Sequence, residues 1–420
     1  MEFHPLNFGL LCSILLALGC LLEGGSALGI RTHSGMPARK NQVRCAFLEK
    51  LKRSRITNSY VSSLSKASYD TYNYTQVLDH FAFTPESYQT FPQRYFIDKS
   101  NWGGAQNNSP IFVWLGEEQD ITNDVESNFM IDQVANFKAL VVYIEHRYYG
   151  TSMPFGGEEE AYANASTMGY FTIAQALADY AIVIVHLKKT LNAENCPVVV
   201  VGGSYGGMLA TWFRLKYPHI TIGALASSAP ILYLDAIVPT NGYDSVVTED
   251  LRDASEICYR RINESWDMMD KIASTPQGLL NLSKLFISLE LNEISAPAGT
   301  TMFPPYFFDI KSYSRNCYLK YGVVPRRHWL TTEFGGHDIK RVLKDFGSNI
   351  IFSNGLRDPW SAGGVLANIS ESIVAITTDE GTHCLDIVQS ASDDPAWPKE
   401  QRRKEITIVQ KWINDYRNQF

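Results

Sequence analysis

The sequence predicts an α/β protein: a mostly parallel β-sheet with helices on both faces, interrupted once by a largely helical insertion. Two observations predict it. Runs of strand length that are apolar on both faces recur as RYFI (94–97), PIFVWL (110–115), ALVVYIE (139–145), PVVVVG (197–202) and IGALASS (222–228). Segments with helical spacing of apolar residues, 125–137, 169–190 and 205–217, separate the later runs.

The remaining elements follow in order. Residues 28–70 are polar and poorly periodic and read as an arm or propeptide, and the core begins at 71–234. Over 235–338 the alternation lapses into helix-like stretches such as DLRDASEICYRRINESWDMMDKI and a Pro-rich piece, SAPAGTTMFPPYFF, with no buried-type strand. The core resumes over 339–420 with SNIIFSNG (348–355), SIVAITT (372–378) and a terminal helix.

Composition bounds the function. The 420 residues are 45% apolar and carry 37 basic against 44 acidic side chains, a net charge of −7 with no basic run, so nucleic acid is not an expected partner. The uncharged apolar run FGLLCSILLALGCLL (8–22) precedes small residues and is short for a bilayer span. It reads as a signal peptide over 1–27, with a retained anchor as the alternative. No later stretch reaches spanning length, so no membrane contact is expected once the signal is removed. Secretory entry agrees with Asn-x-Ser/Thr triplets at Asn73, Asn107, Asn164, Asn263, Asn281 and Asn368. Five cysteines remain beyond the signal, an odd count, and none has CxxC spacing; zinc and thiol-redox chemistry are not expected, nor any other metal or cofactor.

The stretch PVVVVGGSYGGMLATWFRLKYP places a serine between two pairs of glycines, at the junction of a buried-type strand and an amphipathic helix. Gly202-Gly203-Ser204-Tyr205-Gly206 matches G-x-S-x-G, the elbow that aims a nucleophilic hydroxyl out of a sheet. A packing turn or a phosphate-binding loop is the alternative. A serine hydroxyl needs a base, and the base needs an orienting acid. In the order Ser, acid, His, the candidates are Asp358 in NGLRDPWSAGG and His383 in DEGTHCLDI, each in a loop after a later strand. His146 and His337 stand in the wrong order and read as hydrogen-bonded structural histidines. Oxyanion donors are expected at the N–H of Tyr205 and around Gly116–Glu117, in the loop after the third core strand.

These residues, with LDHF, EHRYYGTSMP, QALADYA, SSAP, FSNGLRDPWSAGGV and the EGTH loop, make the chain resemble the S28 serine peptidases from about residue 72 to its end. The resemblance implies an α/β-hydrolase fold, the triad Ser204, Asp358 and His383, and exopeptidase activity after proline in peptide substrates with proline near a terminus. It also implies a proline pocket that includes Met208 and Trp360, a lysosomal, vacuolar or extracellular location, and a homodimer as an allowed assembly. Two departures stand out. The family's pair of histidines is here His383-Cys384, and only 154 residues separate Ser204 from Asp358. The helical insertion is therefore expected to be shortened near 289–305, leaving Cys258 and Cys317 without their usual partners or joined to each other. Two alternatives stay open: an esterase or lipase on the same fold, and an inactive lumenal protein.

Overall fold

The computed structural model describes residues 69–125, 130–235, 237–285, 301–304 and 309–419. The expected signal segment, most of the arm and part of the Pro-rich piece lie outside these residues. Eight strands form one sheet: β1 (Asp70–Val77), β2 (Thr90–Asp98), β3 (Ile111–Leu115), β4 (Leu140–Ile144), β5 (Val198–Gly203), β6 (Gly223–Ser227), β7 (Ile350–Gly355) and β8 (Ile373–Thr378). Their spatial order is β1-β2-β4-β3-β5-β6-β7-β8. Strand β2 runs antiparallel to both β1 and β4, and every other neighbouring pair is parallel. With helices on both faces, this is the α/β-hydrolase fold.

The continuous apolar runs are explained by two cores, one on each face. Val113, Val142, Val200, Ala226 and Phe352 point to one side, where the helices Ile173–Thr190 and Ser204–Lys216 cover them. Phe112, Val141, Val199, Leu225 and Ile351 point to the other, against the C-terminal helix Ala396–Arg417 through Val409, Trp412 and Ile413. At Gly223 an added Cβ would lie 2.3 Å from the Trp412 ring, so the helix packs directly on β6. Strand β1, DTYNYTQV, has no apolar run to announce it: it lies at the sheet edge and buries only Gln76.

Between β6 and β7 the chain leaves the sheet for a helical excursion that includes Gly242–Ala254, Glu256–Ala273, Pro276–Leu285 and Ile310–Tyr321. It has a small core of its own around Tyr243, Val247, Ile262 and Met302. Among the described residues no helix is long and apolar enough to cross a membrane. The parallel strands gather the loops after β3, β5, β7 and β8 at their carboxyl ends, the edge at which open α/β sheets build their sites.

Candidate active site

Strand β5 ends at Gly203 and the next helix begins at Ser204, so the turn has no spare residue. Ser204 takes φ 51°, a left-handed conformation that costs a residue with a side chain about 1–2 kcal/mol. The glycines follow from backbone proximity. A Cβ on Gly202 would lie 2.2 Å from the Gly206 carbonyl oxygen, and one on Gly207 would lie 2.8 Å from that of Ser227. The N–H groups of Ser204 and Tyr205 fall in the first helical turn, where no intrahelical acceptor exists.

Asp358 follows β7 and caps the short helix Pro359–Gly363. Its carboxylate is fully buried; Oδ1 accepts from the Trp360 N–H at 3.0 Å, and Oδ2 lies 2.7 Å from His383 Nδ1. His383 follows β8 and keeps 37% of its side chain exposed. The two loops touch backbone to backbone: a Cβ on Gly355 would meet the Gly381 carbonyl carbon at 2.2 Å, and Arg357 N–H donates to Gly381 O at 3.0 Å. The His383 loop also rests on the elbow. A Cβ on Gly203 would come 3.0 Å from Cys384 Sγ, and Cys384 N–H donates to Ser228 Oγ at 2.9 Å.

Burial opposes a charge on His383, but the Cys384 sulfur and the Asp358 carboxylate together outweigh it and raise the imidazole pKa above its ordinary value. Burial also raises the Cys384 thiol above its ordinary value. No hydrogen bond joins Ser204 Oγ to His383 Nε2 in this structure; such bonds commonly close only in the reacting complex.

The acidic loop GEEQD lies beside the elbow. Gly116 N–H is spent on Ile144 O at 2.9 Å, which takes it out of the expected donor set and leaves the Glu117 N–H. The Glu117 side chain turns to the elbow, accepting from Gly206 N–H at 3.4 Å, and Gln119 Nε2 bridges it to Asp124 at 3.0 and 2.9 Å. Burial, then the charges of Glu118 and Asp124, push Glu117 up to about 8, while Gly206 N–H and His383 pull the other way. Burial likewise raises Glu118, and Asp124 to about 7.

The remaining predicted residues fall as follows. Met208 is partly buried against the helix-covered core, one turn beyond Ser204. Trp360 is 37% exposed and meets Tyr243 and Tyr233 edge-on, with centroids 5.0 and 5.7 Å away. His146 is buried; its Nδ1 donates to Arg147 O at 2.6 Å, so Nε2 accepts from Tyr205 Oη at 3.2 Å, and burial lowers its pKa to about 4. It is a neutral brace for Tyr205. His337 bonds Thr332 at 3.2 Å, on the excursion side. All six sequon asparagines are exposed, and Cys317 carries a free thiol.

The motif EHRYYG holds a second framework that sequence reasoning missed. Glu145, fully buried, accepts from Ser152 Oγ at 2.7 Å and from the Thr151 and Ser152 N–H groups at 3.0 Å, and pairs with Arg94. Arg147 makes a bidentate pair with Asp179 at 2.6 Å, both fully buried, and His80 adds a third contact at 2.7 Å. The signal was present as charged residues inside an otherwise buried stretch, which must be paired to be tolerated.

A family model described as serine carboxypeptidase S28 matches residues 76–300 and 313–405. The chain belongs to the S28 serine peptidase family. It is 32% identical to the lysosomal Pro-X carboxypeptidase of Mus musculus over 452 aligned positions, covering 83% of this chain and 90% of that relative. Against the lysosomal Pro-X carboxypeptidase of Homo sapiens the identity is 31%, with 83% and 89% covered. The thymus-specific serine protease of Mus musculus is 37% identical over 171 residues, 40% of this chain and 32% of that one. Because 83% of 420 residues is about 349, about 100 of the 452 positions aligned with the mouse carboxypeptidase have no residue in this S28 peptidase. As a family member it is a hydrolase acting on peptides.

Proposed function

We propose that this S28 peptidase is an exopeptidase that cleaves after proline near a chain terminus, with Ser204 as nucleophile, His383 as base and Asp358 as its orienting acid. The observation that carries the reading is the buried Asp358 carboxylate 2.7 Å from Nδ1 of a half-exposed His383, in a loop packed on the elbow of Ser204. Ser204 Oγ attacks the scissile carbonyl carbon while His383 Nε2 takes the hydroxyl proton. The N–H groups of Tyr205 and Glu117 receive the oxyanion. Collapse breaks the C–N bond, His383 returns the proton to the leaving amine, and water hydrolyses the acyl-enzyme by the same steps in reverse roles. Asp358 favours the imidazolium that forms midway.

Met208 and the Trp360–Tyr243 pair supply apolar surface for a prolyl ring, which has no N–H to satisfy. The helical excursion is a shortened cap, a reading supported by the aligned positions that this chain lacks. The names of the carboxypeptidase relatives, together with the apolar run at 8–22, support a lysosomal or secretory-pathway location. A fluorophosphonate probe tests the chemistry: labelling is expected in the wild type and absent in Ser204→Ala. Parallel assays on Pro-Xaa peptides and short acyl esters test the substrate; turnover of esters alone would remove the peptidase specificity.

A further inference from the structure

Beneath His383 lies a second pair of acids that the chemistry does not use. Asp386, three residues after His383, is 2% exposed, and its Oδ1 accepts from Ser227 Oγ at 2.5 Å, at the end of β6. Glu405, on the C-terminal helix, is fully buried, and its Oε1 accepts from Ser353 Oγ at 2.6 Å, on β7. Each hydroxyl has one proton and has spent it; Ser353 Oγ in turn accepts from Gln401 Nε2 at 2.8 Å. The second oxygens, Asp386 Oδ2 and Glu405 Oε2, are buried without a donor, and the serines that hold the two carboxyl groups, Ser227 and Ser353, stand opposite each other in the β6–β7 pairing, which makes the two acids neighbours. Two carboxylates facing one another away from water cannot both remain ionised, whereas one proton between them satisfies both oxygens.

We propose that Asp386 and Glu405 share one proton, and that this acid–acid bond positions the His383 loop against β6, β7 and the C-terminal helix. The surroundings are consistent with it. Arg402 faces the pair, and its guanidinium is occupied by the carbonyls of Asp386, Leu385 and Val388 and by Asp394, at 2.6–3.1 Å. Its charge favours ionisation, burial opposes it more strongly, and both carboxyls are held above their ordinary pKa. Cys384 faces Asp386 from its own loop, and its thiol is neutral. Loss of the shared proton puts two negative charges in contact and frees the loop, so Asp386 and Glu405 act on catalysis through the placement of His383.

The inference takes the reading of His383 as base for its meaning, but its main test does not depend on activity. Hydrogen exchange of peptides spanning 381–388, corrected for intrinsic rates, is compared at pH 5 and pH 8. Protection of the wild type is expected to fall by at least about tenfold, the effect of one pKa unit. In Glu405→Gln the amide donates permanently to Asp386 while still accepting from Ser353, so protection should be independent of pH. Equal wild-type protection at both pH values would overturn the proposal even if the variant failed to fold, and so would an unchanged pH loss in Glu405→Gln. Probe labelling of Ser204 over the same range should fall at its alkaline end in the wild type and persist in the variant. Absence of labelling at every pH would count against the peptidase reading and leave the exchange result to decide the pair.

Discussion

At Ser204, a left-handed backbone angle and a first-turn helix position set one hydroxyl at the start of a helix, and Asp358 stands behind the His383 imidazole, where the proposed triad needs an orienting acid. Replacing Asp358 by Asn keeps the volume but removes the charge that favours the imidazolium. Asp358→Asn should lower kcat by about 10⁴-fold while leaving the Tm within a few degrees of wild type. Because Asp358 raises the His383 pKa, the acid limb of kcat/KM should move to lower pH in the same variant. A pH–rate profile that keeps the acid limb in place would take the orienting role from Asp358. His146 makes no contribution to that limb, since burial holds it neutral down to about pH 4.

Loops rather than helices decide the geometry at the scale of elements. Gly355 ends β7 and Gly381 precedes His383 in the next loop, and their backbones occupy the space that a Cβ on Gly355 would need. Gly355→Ala must therefore push the Asp358 and His383 loops apart. The expected cost is an overpacking of about 1–3 kcal/mol in stability. The larger effect should be on kcat rather than KM, read from steady-state kinetics beside thermal melts. A loss confined to KM would mean that the contact does not set the Asp358–His383 distance. This contact was only half legible in sequence. The glycines stood in view in SNG and EGTH, but nothing local says that they meet each other across 26 positions. Strand β1 escaped for a similar reason: an edge strand with one buried residue has no apolar pattern.

The whole molecule collects acids that prefer to stay protonated when folded. Burial with its acidic neighbours holds Glu117 at about 8, burial holds Asp124 at about 7, and Asp386 and Glu405 are also raised. Unfolded, such groups titrate near 4. Between about pH 4 and 8 the folded state therefore binds more protons than the unfolded state, and stability falls as pH rises through that window. Raised His383 adds in the same direction. The Tm should be higher at pH 5 than at pH 8 in melts at constant ionic strength; a Tm that is flat or rising over that range would show that these carboxyls are solvated.

The sequence by itself determined the parallel sheet and the elbow, and it offered the serine, acid and histidine of the proposed triad in that order. Each of these rests on a local pattern: a run buried on both faces, glycines where backbones crowd, and reactive residues in loops after strands. Tertiary structure alone decided what those residues work against: Asp179 on Arg147, Gly206 on Glu117, and Glu405 on Asp386. The physical reason is burial. A charged or polar group removed from water must find a partner, but which distant partner it finds depends on how the sheet brings its loops and its last helix together.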